Sequence, residues 1–172
     1  RLVGSEMCIR DRLEAAKKAG ISCGLTTAWQ SWIHLENFSA YHDIPFASKA
    51  NGFEGLNTKL KFNSPLHVAH LGLMGKWAKE GKFFYAGRRN EGGANFRSGE
   101  CMFFTESSAG YAGIKKEAKF DFGIRSLPYY EGTKGPQNTI IGGASLWAMG
   151  GHSADEYNGC LLYTSDAADD AN

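Results

Sequence analysis

The chain has 172 residues, a formal net charge of +1, 42% hydrophobic residues and 22 glycines. This near-neutral balance, with no basic stripe, excludes a polyanion-binding surface as the default, so no nucleic-acid partner is expected. No apolar run approaches the length needed to span a bilayer, and the composition fits an α/β chain rich in turns.

The two ends read as foreign to the protein. Leu2–Arg12 back-translates to a transposase-type sequencing adapter, and Cys160–Asp169 to the reverse complement of its partner. Residues 1–12 and 160–172 are therefore expected to be adapter-derived and non-native. Residues 13–159 are expected to be a piece of a longer protein.

In chain order, Leu13 to Ala19 reads as the tail of a helix closed by Gly20. Ile21 to Leu25 reads as a short strand. Thr26 and Thr27 are placed to cap a helix from about Ala28 to Tyr41. Its apolar positions Trp29, Trp32, Ile33, Leu35 and Phe38 recur with helical period. At that spacing Trp29 and Trp32 share one helix face near its start. There the two indoles either join the core or form a platform for the C–H face of a polyol or sugar.

Asp43 to Asn57 is expected as loop and Lys59 to Phe62 as strand. Ser64 followed by Pro65 signals an N-cap with proline at the first helical position. That helix should run to about Lys79 and end near Gly81. Glu80 to Asn95 reads as loop, and Gly99 as a helix end leading into a buried strand, Cys101 to Thr105. Ser107 and Ser108 then cap a helix to about Ala118. Phe122 to Ser126 reads as strand and Tyr129 to Gln137 as polar loop. Thr139 to Met149 is an apolar strand or strand pair interrupted by Gly142 and Gly143, and Ser153 opens a further helix. Helices alternating with short strands throughout argue for an α/β or α+β class.

The strand-to-helix junction at Ser107 offers free N–H groups and the positive end of a helix dipole, which suits an anion such as phosphate. A plain serine N-cap is the alternative. Glycine at 142–143 marks a bulge or lets backbone N–H groups approach a ligand. Cys23 and Cys101 either pair in an oxidising compartment or stand as two small buried residues. His67 and His70, three apart, could hold a metal, but no third ligand lies near in sequence and a solvated or packing role is preferred. Arg88 and Arg89 read as solvent-facing. Glu36 alone resembles a catalytic acid, and glycosidase-type chemistry needs a second carboxylate that cannot be nominated.

Several longer motifs carry a resemblance. They are Trp29-Gln-Ser-Trp-Ile-His-Leu-Glu-Asn-Phe-Ser, Pro45-Phe-Ala-Ser-Lys-x-Asn-Gly-Phe, Phe96-x-x-Gly-x-Cys-Met ahead of Ser107-Ser108, Ala118-Lys-Phe-Asp-Phe-Gly, and Pro136-Gln-Asn-Thr-Ile-Ile-Gly-Gly-Ala-Ser-Leu-Trp. Together they resemble the extracellular solute-binding proteins of the maltose type, in particular the glycerol-3-phosphate binders that feed ABC importers. The likeness covers nearly all of residues 13–159.

The resemblance implies a periplasmic-binding-protein type II fold, two α/β lobes around a cleft, present here incompletely and mostly as the C-terminal lobe. It implies periplasmic localisation, sn-glycerol-3-phosphate or a glycerophosphodiester as ligand, ABC permease subunits as partners, a monomer when full length, no metal or other cofactor, and no catalysis. Trp29 and Trp32 would stack on the glycerol part, and Ser107 and Gly143 would be ligand contacts. The family's remaining ligand residues lie upstream and downstream of these motifs. Glu106 departs from the pattern, because a small neutral residue is usual beside that serine. A sugar or oligosaccharide binder of the same fold is the nearest alternative, and an enzyme on glycosidic or phosphodiester bonds a more distant one. A partial lobe should also expose apolar surface.

Overall fold

A computed structural model describes residues 6–130, 132–134, 136–142 and 150–159. The chain divides into two units, Arg1–Ile141 and Gly142–Asn172.

The first unit is built on a three-stranded parallel sheet. Helix α1 (Glu6–Lys18) leads into β1 (Cys23–Thr27), the central strand. A π-helical turn (Trp32–Asn37) runs directly into α2 (Phe38–Tyr41), and α3 (Ser48–Asn51) follows as a short turn. Then come α4 (Pro65–Lys79), β2 (Phe83–Phe84), α5 (Gly92–Arg97) and β3 (Cys101–Thr105). A 3-10 turn (Ser108–Gly110) opens α6 (Tyr111–Glu117). The strand order is β2-β1-β3, all parallel, and helices on the connections give the expected α/β class.

Helix α1 ends as its glycine predicts. The Ile21 N–H donates to Ala16 O at 3.0 Å and the Gly20 N–H to Lys17 O at 3.1 Å, the paired bonds of a Schellman cap, with Gly20 at φ 78°. The helix also starts upstream of Leu13, within the stretch read as adapter. Helix α4 begins on Ser64, whose hydroxyl accepts from the His67 N–H, with Pro65 at N1.

Residues Leu25, Phe83 and Phe103 stand in register across the three strands and so point to one face. There they pack with Leu13, Ile9, Leu73, Met74 and Trp77 from α1 and α4. Gly24 lets these layers close, because a Cβ there would sit 2.7 Å from the Leu13 side chain and 2.8 Å from the Lys82 carbonyl oxygen. Lys82 is buried between the carboxylates of Glu14 and Glu80, whose partnership raises its pKa. Phe96 stacks on Phe104, their centroids 5.6 Å apart, and meets Phe120 and Phe122 edge-on.

Cys23 and Cys101 face each other in the β1–β3 register and form a disulfide, with Cα atoms 4.5 Å apart. The choice left open by the sequence is thus resolved as a bridge, closing 78 residues of chain.

Several sequence expectations need correction. Thr26 and Thr27 do not cap a helix. They are fully buried in β1, where β-branched side chains suit a strand flanked on both sides. Ile21 precedes the strand. Phe83 and Phe84, expected in a loop, form β2, and α5 starts inside the same glycine-rich stretch. Lys59 to Phe62 makes only one bridge, Leu60 to Ala47. Phe122 to Ser126 is not a strand, since its phenylalanine joins the aromatic cluster instead of a ladder. Residues 139–142 are not in a strand, and 143–149 lie outside the described residues.

The second unit contains a helix over residues 154–159. Ser153 opens it with a capping box: Ser153 Oγ accepts from the Glu156 N–H at 3.3 Å, and Glu156 Oε2 accepts from the Ser153 N–H at 2.7 Å. The Ser153 N–H and, at 2.9 Å, the Ser153 hydroxyl both donate to the Glu156 carboxylate and lower its pKa.

Candidate functional site

The carboxyl ends of parallel strands are where α/β sheets expose backbone and loops to a ligand. In this sheet β1 and β3 end together, with Thr27 opposite Thr105, and the Ala28 N–H donates to Thr105 O at 3.0 Å. Two residues beyond each end stand Trp29 and Ser107. Sequence candidates separated by 78 positions are thereby delivered to one edge.

Trp29 is not in the helix. Its backbone is left-handed, φ 43°, a conformation costing a bulky L-residue about 1–2 kcal/mol. The shared-face argument from helical spacing therefore fails. Two backbone bonds hold the strained residue. Its N–H donates to Arg89 O at 2.7 Å, and its carbonyl accepts from the Ile33 N–H at 2.9 Å, the first bond of the helical segment. The indole is 42% exposed, whereas Ile33 and Phe38 of the same segment are buried. Trp32 is half-buried. Core burial, the bland alternative for the pair, does not describe Trp29.

Ser107 is an N-cap, its Oγ accepting from the Ala109 N–H at 3.3 Å. Glu106 turns toward this helix start, and its Oε1 accepts from the Ser107 N–H at 2.7 Å. The carboxylate thus occupies an amide that an anion would use. Burial raises its pKa, opposed by the Ser107 bond and by Arg97. Gly143 lies outside the described residues.

The β2 carboxyl end contributes a further loop, whose Tyr85 carries no signal in the sequence as a site residue. Thr26 Oγ1 donates to Phe84 O at 2.9 Å, and the following Tyr85 side chain is exposed. The Gln30 amide, with its nitrogen facing the carbonyls of Gly87 and Arg88 at 3.0 and 3.2 Å, accepts from the Tyr85 hydroxyl at 3.2 Å. Glu91 Oε2 accepts from the Arg89 N–H at 2.6 Å. Gly92 allows α5 to approach, since a Cβ there would be 2.6 Å from Thr27 O. Arg88 and Arg89 are exposed. The apolar pair that forms β2 is too short to stand out in a sequence.

Behind the edge lies a group of four histidines. Thr105 Oγ1 donates to Thr27 Oγ1 at 2.7 Å, and Thr27 Oγ1 donates to Ala28 O at 3.0 Å. His34 Nε2, 3.1 Å from Thr27 Oγ1, must then carry the proton of that bond. His34 Nδ1 accepts from His70 Nε2 at 3.1 Å, and His70 Nδ1 faces the Tyr130 hydroxyl at 3.4 Å. His67 is held between Ser39 and Ser64, each at 2.7 Å. His42 Nδ1 donates to Phe38 O at 2.9 Å, and its Nε2 accepts from the Tyr130 N–H at 3.1 Å. Every ring nitrogen of the four is engaged, so of the two bland roles open from sequence, solvated or packing, His67 and His70 take packing. Burial drives the His34 pKa down to about 4. Burial, then the neighbouring histidines, drives His70 to about 3. Among the described residues no group of three or more His, Cys, Asp or Glu side chains could hold a metal ion.

Comparison with known proteins finds similar sequences. The chain is 48% identical over 144 residues to the sn-glycerol-3-phosphate-binding periplasmic protein of Pectobacterium atrosepticum, covering 83% of this chain and 32% of that protein. It is 44% identical over 156 residues to the protein of that name from Salmonella typhimurium, covering 90% and 36%. A third, from Yersinia enterocolitica, is 48% identical over 144 residues, covering 83% and 33%.

The chain is a relative of the sn-glycerol-3-phosphate-binding periplasmic proteins.

It spans about a third of the length of these curated relatives. No protein-family model matches it. Among the described residues, no helix of this binding-protein relative is long and apolar enough to cross a membrane.

Proposed function

We propose that the protein containing this chain is the substrate-binding component of an ABC importer. It captures sn-glycerol-3-phosphate or a glycerophosphodiester in the periplasm and delivers it to the membrane permease, acting as a monomer and without covalent chemistry. The observation carrying this reading is Trp29: a large aromatic held in a strained backbone and turned to solvent, two residues past a strand whose neighbour leads to Ser107. Backbone strain at a bulky residue persists only where surrounding bonds enforce it, and it concentrates at functional sites. An indole suits the carbon face of glycerol. The Ser107 junction suits its phosphate. Closure of a second lobe would complete the contacts. Trp32, Ser107 and Gly143 are the further ligand contacts in this reading.

Glu106 favours ligands of low negative charge at this edge, because its carboxylate already uses the Ser107 amide. That preference ranks a monoanionic glycerophosphodiester above a phosphate monoester, and keeps a neutral sugar as the second reading. Calorimetric titration of the full-length protein with sn-glycerol-3-phosphate, glycerophosphocholine and maltose separates them. Binding of either glycerophosphate with unchanged ligand recovered supports capture. Maltose binding alone establishes the sugar reading, and hydrolysis of glycerophosphocholine overturns both.

A further inference from the structure

We propose that Tyr85 is an additional ligand-contacting residue, and that Gln30 is the positioning residue that aims it; this rests on the ligand-capture reading above. Tyr85 leaves the carboxyl end of β2, the strand flanking β1 on the side opposite β3, so the strand that leads to Trp29 lies between those that lead to Tyr85 and Ser107. The ring is 55% exposed. An exposed phenol on an ordinary loop would be unremarked, but this loop is fixed at every turn. Arg89 O receives the Trp29 N–H, Gln30 spans Tyr85, Gly87 and Arg88, and Glu91 holds the Arg89 N–H. Gly87, at φ 156°, lets the Glu91 carboxylate fold against the loop, since a Cβ would meet its carboxyl carbon at 2.5 Å.

The chemistry follows from that anchoring. Gln30 engages the hydroxyl, so the polar end of Tyr85 is satisfied and the ring faces remain to meet a ligand. A rigid aromatic with its polar tip occupied contributes contact area at little entropic cost. The Gln30 side chain joins Trp29 and Tyr85 into one unit, because it follows the strained residue directly and clamps the loop that carries the Arg89 carbonyl. The edge therefore carries Trp29 past β1, Tyr85 past β2 and Ser107 past β3. The ligand part they take is an uncharged or cationic carbon-rich group, such as the glycerol or the alcohol esterified to its phosphate.

The test uses the full-length protein with Tyr85→Phe, Tyr85→Ala and Gln30→Ala, titrated with glycerophosphocholine and sn-glycerol-3-phosphate, with Trp29→Ala as reference and thermal melting as control. Tyr85→Ala should weaken binding of glycerophosphocholine roughly tenfold with an unchanged melting temperature. Tyr85→Phe should retain affinity within about threefold, because the ring remains. Gln30→Ala should fall between them. Wild-type affinity in Tyr85→Ala, alongside loss in Trp29→Ala, overturns the inference and leaves the capture reading standing. A parallel drop in melting temperature and affinity in both Tyr85 variants reduces Tyr85 to a structural role and also overturns it. Failure of the unsubstituted protein to bind either ligand removes the capture reading, and this inference with it.

Discussion

Thr27 and Thr105 are joined Oγ1 to Oγ1 at 2.7 Å across adjacent parallel strands, and the same Thr27 hydroxyl lies 3.1 Å from His34 Nε2. One side-chain oxygen thus ties the two strand ends that carry Trp29 and Ser107 to the histidine group. Perturbing either side should be felt at the candidate site.

Trp29 separates stability from binding. Glycine adopts φ 43° without the steric cost borne by tryptophan. Trp29→Gly should leave stability unchanged or raise it by up to about 1 kcal/mol, while ligand affinity of the full-length protein drops at least several-fold. Denaturant melts and calorimetry on the same samples check both halves. A strongly destabilised Trp29→Gly would mean that the indole is a packing residue.

The disulfide should carry a large share of the stability. Closing a loop of 78 residues removes about 4 kcal/mol of unfolded-chain freedom in the chain-entropy model. A Cys23→Ala/Cys101→Ala double variant should unfold at markedly lower denaturant than the oxidised protein, and reductant should shift only the latter. Equal midpoints would show that the cross-link contributes nothing.

Acid should loosen the histidine group. The folded pKa values of His34 and His70 lie below the ordinary 6.5, at about 4 and about 3. The unfolded chain therefore binds more protons, and stability falls as pH drops. The contribution is complete above about 6.5 and is lost progressively toward about 3, on the order of a few kcal/mol. Both rings are only partly buried, which places the loss at the lower end. A His70→Phe variant, keeping the stack on Phe38 at 4.1 Å, should flatten that slope. An unchanged pH profile would exclude the group as its source.

Glu106 should set charge preference. With its carboxylate accepting the Ser107 N–H, Glu106→Gln removes a negative charge beside the helix start. Affinity for sn-glycerol-3-phosphate should rise several-fold, and affinity for a neutral sugar should not move. An equal change for both ligands would show that Glu106 acts through local structure, not charge.

Gly92 tests the architecture of the edge. A methyl there would meet Thr27 O at 2.6 Å and Thr26 Oγ1 at 2.7 Å, and neither can yield without disturbing β1. Gly92→Ala should destabilise the protein by about 1–3 kcal/mol, read as a shifted denaturation midpoint. A neutral result would show that α5 has slack against the strand.

Much of the fold was legible because its signals are local. The Gly20 cap, the Ser64-Pro65 helix start, the Ser107 cap and the Ser153 start each rest on hydrogen bonds made within a few residues, which residue type governs directly. The two-residue strand β2 and the aromatic position of Phe122 were not legible, because partners distant in sequence decide them. The candidate site divides in the same way. Trp29 and Ser107 stand out by type and motif, whereas Gln30 and Tyr85 gain meaning only from a contact 55 residues apart.

Taken by itself, the order of residues determined where chain segments start, stop and bury a face, and it carried the family likeness in its longer motifs. Only the tertiary structure decided that Thr26 and Thr27 lie in a strand and not at a helix cap, that Cys23 meets Cys101, and that Trp29 turns outward. Local propensities amount to a few tenths of a kcal/mol per residue. Pairing β1 with β3 along its length and with β2 at Leu25 and Thr26 satisfies several backbone groups at once, and that larger, non-local gain overrides them.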